Sequence, residues 1–169
     1  NGGTTPGTVS SGVVAVYSNS NAFAALKTNG SVVAWGDSIN GGTTPGTVSS
    51  GVVAVYSTGQ SFAALKTDGS VVAWGSSTLG GTTPGNVSSG VVAVYSNDYA
   101  FAALKTDGSV VAWGDSTYGG TTPGTVSSGV VAVYSNDYAF AALKTNGSIV
   151  AWGESTVGGT TPGNVSSGV

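Results

Sequence analysis

Between Ala100 and Gly114 the chain reads Ala-Phe-Ala-Ala-Leu-Lys-Thr-Asp-Gly-Ser-Val-Val-Ala-Trp-Gly, two short apolar runs on either side of Asp107-Gly108. Runs of this length broken by Asp-Gly predict two antiparallel strands joined by a hairpin. A two-residue loop sets Thr106 opposite Ser109, Leu104 opposite Val111 and Ala102 opposite Trp113. One surface of the hairpin then carries Ala102, Leu104, Val111 and Trp113, and the other Phe101, Ala103, Lys105, Val110, Ala112 and Gly114. Neither surface alternates with polar positions, so the hairpin is expected to be covered on both sides. One surface is bulky and the other, Phe101 apart, is small. The Trp113 side of one hairpin is therefore expected to seat on the small side of a neighbour, head to tail.

Upstream of each hairpin, segments such as Val130-Val131-Ala132-Val133-Tyr134-Ser135 have the length and β-branched content of a strand. Stretches such as Gly119-Gly120-Thr121-Thr122-Pro123-Gly124 read as loop or turn, with a short edge strand as the alternative. No segment indicates a helix.

The whole pattern recurs. The hairpin block begins again at Ala22, Ser61 and Ala139, with turns at Asn29-Gly30, Asp68-Gly69 and Asn146-Gly147, and the opening Asn1-Gly2-Gly3-Thr4-Thr5-Pro6-Gly7 returns from Asn40 to Gly46. Units run 1–39, 40–78, 79–117 and 118–156, and residues 157–169 begin a fifth. An internal period of this size means a repeat architecture. The expected fold is all-β: tandem antiparallel, hairpin-containing units stacked face to face about 10 Å apart. An open, twisted, solenoid-like array is favoured over a closed β-propeller, because a ring of four would be complete at residue 156 while the opening segment is repeated through Val169. Neither end shows a polar cap, since Val13, Phe23 and Trp35 match Val130, Phe140 and Trp152. The lack of an initiator Met and the stop in mid-unit lead us to expect a processed or excised piece of something longer. Packing between units is assigned to Phe23, Leu26 and Trp35; Phe62, Leu65 and Trp74; Phe101, Leu104 and Trp113; and Phe140, Leu143 and Trp152.

Val91-Val92-Ala93-Val94, followed by the block from Ala100 to Gly114 and then Tyr118-Gly119, resembles the repeat of the regulator of chromosome condensation family in its short bacterial form. The Leu-Lys-x-Asp-Gly-x-Val-x-Ala-Trp-Gly core carries the resemblance, and it covers every unit. The resemblance implies propeller-blade sheets serving as a binding platform. It does not extend to the founding member's guanine-nucleotide exchange activity, for which no matching functional residue is present.

Composition changes the picture chiefly by exclusion. Charged residues make up 7% of the chain, with four lysines against seven carboxylates and a formal charge of -3. No cluster of cations is available to release counterions from nucleic acid, and no apolar run is long enough for membrane insertion by a helix. The absence of His and Cys removes the commonest general base, thiolate metal ligands and Cys–His pairs. A Ser–Lys pair of Lys105 and Ser109 is conceivable, but a solvated lysine beside a turn is the better reading. Asp37, Asp115 and Glu154 share one position in the unit, yet the second unit has Ser76 there, so loop carboxylates are expected rather than a cation site. Gly80-Gly81-Thr82-Thr83-Pro84-Gly85 lacks the lysine and following helix of a phosphate loop. No catalytic residue, cofactor or metal is assigned.

The tryptophans and the Tyr17, Tyr56, Tyr95 and Tyr134 series repeat faithfully and are assigned to packing. Tyr99, Tyr118 and Tyr138 instead stand where other units have Asn21, Gln60, Asn40, Leu79 or Val157, which marks them as surface residues and as the first to test for a glycan or protein contact. Asn86-Val87-Ser88 and Asn164-Val165-Ser166 match the glycosylation triplet. The expected function is structural: a segment of an extracellular or cell-surface filament built from further copies of the same repeat, covalent or end to end. The alternative is a closed propeller-like module that binds protein or glycan.

Overall fold

In the computed structural model, which describes residues 3–165, the Asp107-Gly108 turn reverses the chain through three loop residues rather than two. Lys105 N–H donates to the Ser109 carbonyl at 2.9 Å, and Gly108 N–H donates to the Lys105 carbonyl at 2.9 Å. Only Gly108 takes a positive φ, of 75°, while the Asp107 carboxylate accepts from the Ser109 amide at 2.9 Å and its hydroxyl at 2.6 Å. This is a type I turn closed by a glycine bulge. The two-residue register is thereby corrected: Leu104 pairs with Val110, Ala103 with Val111, Ala102 with Ala112 and Phe101 with Trp113. A slip of one residue moves a whole strand's side chains to the opposite face. Phe101 and Ala103 thus join Val111 and Trp113 on the bulky face, and Leu104 moves to the small face with Ala100, Ala102, Val110 and Ala112.

Each unit contributes one three-stranded antiparallel sheet whose strands are neighbours in chain order. The sheets comprise β1 (Val13–Ser18), β2 (Ala22–Lys27) and β3 (Val32–Gly36); β4 (Val52–Ser57), β5 (Ser61–Lys66) and β6 (Val71–Gly75); β7 (Val91–Ser96), β8 (Ala100–Lys105) and β9 (Val110–Gly114); and β10 (Val130–Ser135), β11 (Ala139–Lys144) and β12 (Ile149–Gly153). The first strand of each sheet carries a bulge, between Val91 and Ala93 in β7. Two residues there oppose one, so Val91 and Val94 both reach the core while Val92 between them is 52% exposed.

Among the described residues the Thr/Pro segments form no edge strand. Thr83, Thr122 and Thr161 instead lie along the free edges of β6, β9 and β12, and their hydroxyls accept the amides of Ala73, Ala112 and Ala151 at 2.7, 3.0 and 2.7 Å. A side chain thus satisfies an edge donor that would otherwise invite pairing. Each segment then makes a single 3₁₀ turn, such as Gly85–Val87, that inserts a fully buried Val48, Val87 or Val126. The sequence pattern gave no sign of these turns, because one apolar residue per turn leaves no helical period.

The sheets pack in an open row. Ala63, Leu65, Val71 and Ala73 of the second sheet share one core with Val91, Val94, Phe101, Ala103, Val111 and Trp113 of the third. Equivalent cores join the first sheet to the second and the third to the fourth. Among the described residues no such core joins the fourth sheet back to the first. Every junction places the Phe/Trp face of the later sheet on the Ala/Leu/Val face of the earlier one. Backbone bonds of 2.9 Å tie the rims: Val52, Val91 and Val130 N–H donate to the Gly30, Gly69 and Gly108 carbonyls of the preceding hairpin.

Candidate functional site

Inside the row each bulky face has a built seat. Gly41, Gly80 and Gly119 adopt φ of 96°, 92° and 99°, and a Cβ on any of them would lie 2.7 Å from a ring carbon of Phe62, Phe101 or Phe140. Each of these phenylalanines stacks on the tryptophan opposite it, at 5.2 to 5.4 Å between centroids. The indoles of Trp74, Trp113 and Trp152 donate to the Gly41, Gly80 and Gly119 carbonyls at 3.0 Å. Leu26, Leu65 and Leu104 complete these junctions from the small faces. Phe23, Trp35 and Leu143, assigned to the same packing from the sequence, lie on the two outer faces and are only half-buried.

Those outer faces are complementary halves of one junction. At one end Phe23 stacks on Trp35 at 5.4 Å. At the other, Ala141, Leu143, Ile149 and Ala151 are half-buried, and Tyr134 is 61% exposed whereas Tyr17, Tyr56 and Tyr95 pack against the cores. Gly158, at the position of Gly41 in its unit, borders a cavity of about 230 Å³ lined also by Tyr134, Ala139, Phe140 and Ala141.

A second feature occupies the loop rim of the last two sheets. Tyr99 in the β7–β8 loop, Tyr118 after β9 and Tyr138 in the β10–β11 loop come together. The Tyr99 and Tyr118 rings stack at 4.1 Å, and Tyr138 lies 5.9 Å from Tyr99 and 6.0 Å from Tyr118. Asn97, which the sequence analysis did not single out, positions them. Its Oδ1 accepts the amides of Tyr99 and Ala100 at 2.8 and 2.7 Å, and its Nδ2 donates to the Tyr118 carbonyl at 2.8 Å. The signal was available, since Asn19, Asn97 and Asn136 recur at one position and the first and last make the same bonds. The rim is also tied along the row, with Gly59 N–H donating to the Asp98 carbonyl at 2.8 Å and Asp98 N–H to the Asp137 carbonyl at 3.4 Å. Partial burial, the neighbouring Tyr138 and Tyr118, and then Asp98 and Asp115 push the Tyr99 phenol above its usual value.

The remaining candidates resolve into local structure. Lys105 Nζ donates to the Asn86 carbonyl at 3.0 Å while the Ser109 hydroxyl is bound to Asp107, so the Ser–Lys pair is not assembled. Asp37, Asp115 and Glu154 each accept the amide two residues on, and among the described residues no three His, Cys, Asp or Glu side chains converge. Asn86 is exposed on its 3₁₀ turn; the second glycosylation triplet reaches Ser166, outside the described residues. No helix among the described residues is long and apolar enough to cross a membrane.

Comparison with known proteins bears on this geometry. Residues 91–119 match the model of the Regulator of chromosome condensation (RCC1) repeat. No curated protein sequence matches the chain. Among solved structures, the chain is similar to the CRINKLY WD40 ectodomain of the Arabidopsis thaliana receptor kinase ACR4, with TM-score 0.62 and 21% identity over 88% of this chain and 52% of that one. The ectodomain of the Physcomitrella patens receptor kinase CR4 gives 0.58 and 20% identity over 83% and 38%. Prp20p of Saccharomyces cerevisiae, a structure described together with its binding to Gsp1p and histones, gives 0.57 and 19% over 83% and 43%. The chain thus spans between about two fifths and one half of these proteins. Residues 91–119 of the chain thus resemble the regulator of chromosome condensation repeat, and its four like units fold as an open row of propeller-like blades.

Proposed function

We propose that this chain is a binding scaffold of the propeller type that is extended head to tail by further copies of its own repeat. The observation that carries this reading is the threefold recurrence of one junction, with Phe in a glycine seat and Trp bonded to the glycine carbonyl, beside two outer faces that are its separate halves. Phe23 and Trp35 are the plug; Ala139, Ala141 and Gly158 are the socket. A contact between unlike faces propagates until it closes a ring or becomes a filament. Because the solved structures match this chain over only 38 to 52% of their own length, we favour a ring completed by further copies of the repeat, covalent or associated, over the filament that the sequence pattern suggests. Location outside the cell is proposed from composition alone.

Residues 157–165 repeat 1–9 with one change of first residue and one Thr-to-Asn exchange, so both segments fit the same place at such a junction and one is displaced when copies meet. Val9 and Val165 are accordingly half-buried where Val48, Val87 and Val126 are fully buried.

Light scattering across a concentration series tests the proposal. A fixed mass greater than that of one chain is expected, and growth with concentration would indicate the filament. A monomer at every concentration, both for this chain and for one lacking residues 1–9, which leaves the Gly158 socket in place, overturns the reading. Removing that competing segment is expected to tighten association, and Phe23→Asp to abolish it.

A further inference from the structure

The tyrosine rim differs from the rest of the row in charge as well as in shape. Asp98 and Asp137 are exposed beside the rings, and Asp115 lies close enough to act on the Tyr99 phenol. The only cationic side chains of the chain are four lysines. All four are held at the hairpin-turn end of the sheets, where Lys27, Lys66, Lys105 and Lys144 donate to the carbonyls of Thr8, Thr47, Asn86 and Thr125 at 2.7 to 3.2 Å. The strands run from that end to the opposite one, so the loop rim presents carboxylates and aromatic π-faces with no cation of its own. Stacked phenols offer electron-rich surface to a cation, and a planar guanidinium both stacks on a ring and forks onto a carboxylate. Neutral sugars need donors as well as acceptors, and here the side chains around the rings supply carboxylates.

We propose that Tyr99, Tyr118 and Tyr138, with Asp98, Asp115 and Asp137, form a binding site for an arginine-bearing basic segment of a protein partner. The site spans the junction of the third and fourth sheets, so stacking of the units holds its parts in register. The other junctions are natural controls. The equivalent aromatic positions are Asn21, Asn40 and Gln60 at the first junction, with Ser20 and Gly59 in place of the two exposed aspartates. The proposal does not rest on how copies associate, because the three rings meet at a junction within one chain.

The test titrates the full chain with three synthetic peptides of one length, in which glycine alternates with arginine, lysine or glutamine. We expect one arginine peptide per chain, weaker binding of the lysine peptide, none of the glutamine peptide, and loss of affinity as salt is raised. Tyr99→Asn, Tyr118→Asn and Tyr138→Gln combined place at this junction the residues the chain already tolerates at the first. That variant is expected to fold as before and bind roughly tenfold or more weakly. Conversely, Asn21→Tyr, Asn40→Tyr and Gln60→Tyr, with Ser20→Asp and Gly59→Asp, are expected to raise the stoichiometry to two. Failure of the arginine peptide to bind at low salt overturns the proposal. Unchanged affinity in the folded tyrosine triple variant overturns it as well, since the carboxylates would then act alone. So does tyrosine-dependent binding of the glutamine peptide or of neutral oligosaccharides in preference to the arginine peptide.

Discussion

The Trp113 indole N–H donates to the carbonyl of Gly80, 33 residues earlier, at 3.0 Å. This bond joins the linker leaving the second sheet to the bulky face of the third, and it fixes where Phe101 lies against Gly80. Two variants separate its parts. Trp113→Phe keeps an aromatic ring but leaves a buried carbonyl unpaired, with an expected loss of about 1–3 kcal/mol in denaturant melts. Gly80→Ala adds a Cβ at positive φ against the Phe101 ring, and is expected to cost roughly 2–4 kcal/mol. Gly85→Ala, where nothing lies within 4 Å, is the control and is expected within about 0.5 kcal/mol of the parent.

Phenylalanines of one repeat position are predicted to differ by their place in the row. Phe101 is fully buried between two sheets, so Phe101→Ala is expected to cost about 3–5 kcal/mol. Phe23 is half-buried on an outer face, and Phe23→Ala is expected to cost about 1–2 kcal/mol under conditions where the chain is monomeric. Equal losses in parallel urea titrations would mean that the first sheet is covered as the third is.

The hairpin turns should respond to acid unequally. Asp68 and Asp107 are held below the usual carboxylate value of 3.8 by the hydroxyls and then the amides of Ser70 and Ser109. A depressed folded-state pKa contributes stability that is complete above the unfolded value and is lost as pH falls through the folded one. Below about pH 4, amide resonances of Ser70 and Ser109 should therefore move. Those of Ser31 and Ser148, bonded instead to Asn29 and Asn146, should hold, and Asp107→Asn should remove the response at Ser109.

At the alkaline end the sign reverses. Tyr56 is raised above 10.0 chiefly by burial, and Tyr99 by partial burial and its tyrosine and aspartate neighbours. A raised pKa gives stability that is present below the ordinary value and lost as pH rises through the folded one. Phenolate absorbance should show these two tyrosines ionising above their ordinary value. Tyr99→Phe should delete one late component, and its persistence would show that the rim does not crowd that ring.

Asn97 is predicted to act on the rim through position alone. Its side chain holds the Tyr99 amide and the Tyr118 carbonyl, and Thr58 at the same position of the second unit keeps only a bond to the Leu79 carbonyl. Asn97→Thr is expected to leave the fold intact at a cost of about 1 kcal/mol while loosening the Tyr99–Tyr118 stack, readable as loss of ring-to-ring nuclear Overhauser contacts.

The amino-acid pattern alone determined the repeat, the strands of each unit, the site of every hairpin turn and the need to cover both faces. Those features follow from local preference and from the spacing of apolar residues. It could not choose the hairpin register, because with both faces apolar a slip of one residue exchanges one apolar set for another. The hydrogen bonds from Ser109 to Asp107 decided for the three-residue loop, and that placed Phe101 beside Trp113 rather than behind it. Nor could it bring together Tyr99, Tyr118 and Tyr138, which stand on three separate loops. Only the stacking of one sheet on the next makes those loops neighbours, because residues far apart in the chain meet when burial of the faces between them fixes the distance from unit to unit.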